Sequence, residues 1–173
     1  MRHVFGFAGY SGSGKTTLIE RVVPRLRDDG YSVSLIKHAH HRFDVDTPGK
    51  DSYRHRAAGC SEVLITSELR WALMSELRGA SEPSLEQHLA RLSPCDLVLV
   101  EGFKHAAIPK IEIHRRALNH AWLHPSDPNI VAIATDAGPS SSLPQFSLDD
   151  IDGITRFLVT HCGLPVQASS ACG

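Results

Sequence analysis

The chain has 173 residues, 42% hydrophobic and 21% charged, with a net charge of -1 and a pI near 6.8; that is enough chain for one domain with a sizeable core, and its charge balance excludes a nucleic-acid or membrane surface held by bulk charge. No apolar run approaches the roughly 20 residues that span a bilayer, and because Met1-Arg2-His3 leads straight into a strand, no export signal is expected. Cys60, Cys95, Cys162 and Cys172 form no C-x-x-C pair, so reduced thiols in a cytoplasmic protein are expected.

His3–Ala8 reads as a short apolar strand. It runs into Gly9-Tyr10-Ser11-Gly12-Ser13-Gly14-Lys15-Thr16, which matches the phosphate-loop pattern G-x-x-x-x-G-K-[ST] at every fixed position. A helical pattern follows, with Leu18, Ile19, Val22, Val23 and Leu26 on one face. Strand, glycine loop and helix in this order suit the chemistry. Glycines let the backbone wrap around phosphate oxygens, and successive N–H groups and the helix N-terminus meet the anion. A glycine turn that binds nothing would not need the lysine, the threonine and the flanking elements together. Lys15 is therefore expected to reach the outer phosphates of a nucleoside triphosphate, and the Thr16 hydroxyl to ligate Mg²⁺. Pro24 should kink the helix, and Asp28-Asp29-Gly30 should end it. Tyr31–Lys37 reads as a second strand, giving a βαβ unit whose parallel strand ends reach one edge.

Residues 37–52 are too polar for a core element, and Pro48-Gly49 marks a turn. Such a segment reads as a nucleotide-sensing loop or as a solvated surface loop. In the first reading Asp46 and Asp51 orient Mg²⁺ through water and Lys50 touches phosphate. His38, His40 and His41 suggest a metal site only weakly, because no second histidine or cysteine cluster has ligand spacing. Asp51–Ala58 is expected to be helical. Glu62–Ser67 and Arg70–Ser75 are expected as a hairpin, an antiparallel edge on a parallel core. Ser84–Leu92 is an amphipathic helix with Leu85, Leu89 and Leu92 on one side.

Asp96-Leu97-Val98-Leu99-Val100-Glu101-Gly102 reads as a fully buried parallel strand with an acid at each end. At about 3.3 Å per residue the two carboxylates lie roughly 16 Å apart, so only one reaches the metal. Glu101, at the carboxyl edge, is the candidate Mg²⁺ residue. Pro109–Arg115 alternates like a half-exposed strand. Asn129–Ala134 is another buried strand, and Asp136 beyond it is a candidate guanine contact, although no N-K-x-D signature is present. Ser140-Ser141-Ser142 is linker-like, and Asp149–Cys162 forms a closing helix. Residues 1–162 make up the nucleotide-binding domain, and residues 163–173 are expected to be a frayed tail.

Taken together, residues 9–18, Ile36-Lys37-His38, Asp44–Ser52, Arg70–Met74 and Leu99–Lys104 resemble the molybdopterin-guanine dinucleotide biosynthesis protein B (MobB) family. The resemblance covers roughly residues 3–160. It implies an α/β P-loop NTPase fold, a three-layer sandwich whose mostly parallel sheet carries an antiparallel edge hairpin. It also implies a GTP-binding, weakly hydrolysing homodimer that works with the guanylyltransferase joining GMP to molybdopterin. Whether molybdopterin itself is a ligand stays open. Carried onto this chain, Gly12, Ser13, Gly14, Lys15, Thr16 and Thr17 bind phosphates, Thr16 and Glu101 serve Mg²⁺, and the 44–52 loop lies near the γ-phosphate.

Hydrolysis on this reading is in-line attack of water, with Lys15 and backbone amides absorbing charge. Asp46 is the candidate for positioning the water. Two other readings compete. A small-molecule kinase would use Arg54 and Arg56, though no lid-sized insertion is evident. A metal-delivery GTPase would use His38, His40 and His41.

Overall fold

The structure is a computed structural model that describes residues 3–39, 43–138 and 141–165. The chain folds as two compact units, one built from the segments up to His38 and from His88 onward, the other from the residues between.

Alternation along the strands decides how the first unit is assembled. Phe5 and Phe7 of β1 (His3–Ala8), Leu97 and Leu99 of β5 (Leu97–Glu101), Ile111 and Ile113 of β6 (Lys110–His114), and Ala132 and Ala134 of β7 (Ile130–Thr135) all enter one core. Side chains two apart share a sheet face. Helices α1 (Lys15–Asp28) and α4 (Ile151–His161) cover that face with Leu18, Ile19, Val22, Leu26, Ile154 and Leu158. Burying each large aliphatic side chain contributes about 1.5–3 kcal/mol before entropy is counted. With β2 (Val33–Lys37) and β8 (Gln145–Phe146) the sheet has the order β2-β5-β1-β6-β7-β8, and every pairing is parallel. From β1 the chain goes out to β2, and from β5 it crosses to β6 on the other side of β1. That reversal opens the crevice where open α/β sheets bind ligands, outside the carboxyl ends of the strands.

In the second unit α2 (Asp51–Ala57) precedes the antiparallel hairpin β3 (Glu62–Thr66) and β4 (Trp71–Ser75). The hairpin forms a two-stranded sheet of its own rather than extending the six-stranded one. It leaves Leu64, Leu69, Trp71 and Leu73 exposed. Arg56 is the hub of this unit, bonded to Asp44, Asp46 and Glu76. Hydrogen bonds to Asp44 and Glu76 raise its already high pKa. Helix α3 (Leu85–Arg91) leads back to the first unit.

Helix α1 carries Pro24 in its interior and continues to Asp28. Pro24 and Glu20 are both exposed, so water can satisfy the carbonyl that the proline leaves without a donor. Several details correct the sequence reading. The second strand starts at Val33, because Tyr31 is drawn into the core and Ser32 is bonded to Asp96. The expected half-exposed strand is buried at every position of β6. The chain from 115 to 129 supplies partners for its polar face, as described below. Strand β8 was not expected at all; it follows the serine run, of which Ser140 lies outside the described residues. Of the expected tail, residues 166–173 lie outside them too. Among the described residues no helix is long and apolar enough to cross a membrane.

Candidate functional site

The loop after β1 holds its shape through left-handed glycines. Gly9 (φ 152°) has no room for a side chain, since a Cβ there would meet the Ile113 carbonyl oxygen at 2.5 Å. Gly12 (φ 78°) and Gly14 (φ 96°) complete the curl, and α1 starts at Lys15. Ser13 is buried, and its amide donates to the Tyr10 carbonyl. Thr16 and Thr17 lie exposed in the first helical turn. The Lys15 ammonium folds back and donates to the carbonyls of Gly9 (2.9 Å) and Tyr10 (2.8 Å).

Glu101 ends β5 directly beside Phe7 of β1 and Lys37 of β2 in the parallel register. The Thr16 hydroxyl donates to Glu101 Oε1 at 2.8 Å, although 85 residues separate them. Glu101 Oε2 is buried and accepts no hydrogen bond among the described residues; the Lys37 ammonium stands 3.3 Å away. The same ammonium donates to Thr16 Oγ1 at 3.2 Å. A hydroxyl and an orphaned, buried carboxylate oxygen side by side are hard oxygen donors suited to Mg²⁺, which takes one or two protein oxygens and fills the rest with phosphate and water. The residues therefore fit that ion. Among the described residues no group of three His, Cys, Asp or Glu side chains forms a metal site. Asp96, at the other end of the strand, caps Ser32 instead.

The crevice is electropositive. Burial pushes the Lys15 ammonium below its ordinary pKa, and the nearby ammonium groups of Lys104 and Lys37 push the same way against the pull of Glu101. Lys104 sits 5.6 Å from the centre of the Tyr10 ring, which also stacks with His120 at 4.3 Å. The turn bearing Lys104 is constrained. Gly102 (φ 95°) abuts His38, Phe103 is left-handed (φ 48°), and its ring packs on His38 and His88. Buried Lys110 ties the turn down, donating to the carbonyls of Lys104 and Ala106 while pairing with Asp127 at 2.7 Å. Next along β6, Glu112 accepts the amides of Leu123 and His124 and faces the His124 ring. His114 stacks on Trp122 at 3.7 Å and donates from Nε2 to the His120 carbonyl.

On the far side of the loop, Arg115 donates from Nε to the Ser13 carbonyl and lies against Gly14. Asp136, just past β7, accepts the Arg116 amide at 2.7 Å and lies 4.0 Å from Arg115. Beside it a cavity of about 540 Å³ opens between the ends of β7 and β8, lined by Thr135, Ala137, Ser141, Leu143, Gln145 and Phe146.

The expected site residues thus divide. The fold brings Gly12 to Thr17 and Glu101 together, and it sets Asp136 at the same carboxyl edge. Asp46 belongs to the second unit, where its side chain is almost buried and holds the Thr47 amide, the Ser52 hydroxyl and Arg56. In the same unit Arg54 makes an exposed pair with Asp51. His40 and His41 lie outside the described residues. The sequence reading passed over Lys37, Lys104 and Arg115. Lys37 had a usable signal, because a lysine ending a strand parallel to the one that Glu101 ends must lie at the same edge. Lys104 and Arg115 depend on turns that no periodicity encodes.

Comparison with known proteins gives the family and the fold. The family described as molybdopterin guanine dinucleotide synthesis protein B matches residues 4–136. A molybdopterin-guanine dinucleotide biosynthesis adapter protein of Escherichia coli (strain K12) is 40% identical over 162 residues, covering 90% of this chain and 91% of its own. The protein of the same name from Haemophilus influenzae is 46% identical over 134 residues, covering 77% and 74%. A crystal structure of molybdopterin-guanine biosynthesis protein B superposes with a TM-score of 0.72 at 25% identity, over 91% of this chain and 99% of that one. With that match across most of its length, the chain belongs to the molybdopterin guanine dinucleotide synthesis protein B family.

Proposed function

We propose that this chain is an adapter in the synthesis of molybdopterin guanine dinucleotide that binds GTP with Mg²⁺ at the 9–17 loop, hydrolyses it slowly, and assists the guanylyltransferase that joins GMP to molybdopterin. The observation that carries the nucleotide part is the Thr16–Glu101 hydrogen bond, which sets a hydroxyl and a buried carboxylate beside Lys15 at the mouth of a glycine loop. The adapter role rests on family membership and on the names of the relatives.

Each residue then has a task. Lys15 leaves the Gly9 and Tyr10 carbonyls to hold the outer phosphates. The amides of Gly12 to Thr17 line the anion. Thr16 and Glu101 hold Mg²⁺, which when bound neutralises charge building on the β- and γ-oxygens. Asp136, partly exposed and already accepting the Arg116 amide, offers its other oxygen to the ring N–H and amino group of guanine, and the neighbouring cavity gives the base room. Exposed Leu64, Trp71 and Leu73 of the hairpin supply an apolar face for a homodimer. The location proposed for this chain is the cytoplasm, in keeping with cysteines that form no C-x-x-C pair.

The test is a titration with GTP and ATP in Mg²⁺, wild type beside Lys15→Ala. Removing a charge-assisted contact of about 1.5–3 kcal/mol should weaken GTP binding roughly 10- to 150-fold. Stimulation of the guanylyltransferase by wild type and not by the variant should accompany it. Equal affinity for ATP would overturn the guanine assignment, and full stimulation by Lys15→Ala would detach the adapter role from the nucleotide.

A further inference from the structure

Lys37 stands where a metal ion would be sought. Its ammonium donates to Thr16 Oγ1 at 3.2 Å and lies 3.3 Å from Glu101 Oε2, and these are the two oxygens best suited to Mg²⁺. The local hydrogen-bond pattern leaves little room for both cations. The Thr16 hydroxyl spends its hydrogen on Glu101 Oε1, so it meets Lys37 with a lone pair, and a lone pair is also what it would give a metal. Mg²⁺ bonds oxygen at about 2.0–2.1 Å in near-octahedral geometry. An ammonium held on the same hydroxyl and carboxylate would be brought against the ion with like charge.

We propose that Lys37 is a placeholder cation. It neutralises buried Glu101 and holds Thr16 in its metal-binding rotamer while the site is empty of metal, and it gives up both oxygens when Mg²⁺ is seated. Three observations make the pairing more than a surface ion pair. The parallel register fixes Lys37 and Glu101 as cross-strand neighbours at the ends of β2 and β5. Glu101 is 6% exposed, so its charge needs compensation in the metal-free protein. The Lys37 side chain is 52% exposed, so it can swing into solvent, or toward an incoming anion, at little cost. Lys15 behaves alike, since its ammonium rests on the Gly9 and Tyr10 carbonyls. Metal binding to the nucleotide-free protein is therefore a competition between Lys37 and the ion for one pair of oxygens. This inference rests on the reading that Thr16 and Glu101 hold Mg²⁺.

The experiment titrates nucleotide-free protein with Mn²⁺, a Mg²⁺ surrogate whose free form is counted by electron paramagnetic resonance. Wild type is compared with Lys37→Met, Lys37→Arg, Glu101→Gln and the Lys37→Met/Glu101→Gln double variant, and Lys37→Gln replaces Lys37→Met should the latter fold poorly. Removing a half-exposed competitor should tighten Mn²⁺ about two- to fivefold, the span that exposed ion pairs support. Lys37→Arg should stay near wild type, and the gain should vanish in the Glu101→Gln background. Unchanged or weaker Mn²⁺ binding by Lys37→Met, while Glu101→Gln abolishes it, overturns the placeholder alone. Equal Mn²⁺ binding by wild type and Glu101→Gln overturns the metal site and the placeholder together.

Discussion

Lys110→Met tests the ion pair that anchors the 102–106 turn. The Lys110 side chain is 1% exposed, and its ammonium donates to the carbonyls of Lys104 and Ala106, each at 2.9 Å, and to Asp127 at 2.7 Å. Methionine keeps most of the stem, so the loss is the charge and three hydrogen bonds rather than packing. Breaking a buried pair by removing one partner costs about 3–5 kcal/mol, because the other charge is left uncompensated. The lower end applies here: Asp127 is 22% exposed and keeps two hydrogen bonds from Asn129. A loss of about 3 kcal/mol in a chain of this size lowers the melting temperature by roughly 6–12 °C. Thermal and urea unfolding followed by circular dichroism measure it, with Asp127→Asn and the double variant completing a cycle. A cost under about 1 kcal/mol, or single effects that add to within about 0.5 kcal/mol, would show that Lys110 and Asp127 do not act as one unit and would refute the reasoning.

Two further variants address the two ends of β5. Gly102→Ala combines a left-handed backbone (φ 95°) with a Cβ that would meet His38 Cβ at 2.8 Å, so it should destabilise by about 1–3 kcal/mol in urea unfolding; a neutral result would mean that the turn relaxes freely. Hydrogen bonds from Ser32 hold the Asp96 carboxyl below its ordinary value of 3.8. A depressed acid contributes its stability above the unfolded-state value and loses it as pH falls through the lower folded value. Wild type should therefore lose stability below about pH 4 through a component that Asp96→Asn lacks; parallel acid-unfolding curves for the two proteins would refute this.

What was legible in the sequence follows from the kind of information each feature needs. The glycine loop, α1 and β5 are written in local spacing, and Glu101 could be chosen over Asp96 because strand rise alone separates the two acids. The alternation of Lys110, Glu112 and His114 was also legible, but its meaning was not. Period two says that two faces differ, and it cannot say that the second face is dry. Here the chain from 115 to 129 lays Asp127, the Leu123 and His124 amides and Trp122 over those residues, so polar side chains are buried with partners. β8 was missed for the opposite reason. Two residues carry no period, and the strand exists because the Pro144 carbonyl and Gln145 meet a β7 that is already in place.

Parallel register explains how so polar a site is assembled. Phe7, Glu101 and Lys37 align across β1, β5 and β2, so the ends of three strands bring the loop, the carboxylate and a lysine to one line. Two of the lysines at the crevice have local partners: Lys15 donates to two loop carbonyls, and Lys37 donates to Thr16 and pairs with Glu101. On the proposed reading, an incoming triphosphate would exchange those bonds for its own, so its affinity would be the difference between two sets of contacts rather than the sum of the new ones. The same exchange would give the site two arrangements that differ in where the ammonium groups of Lys15 and Lys37 rest.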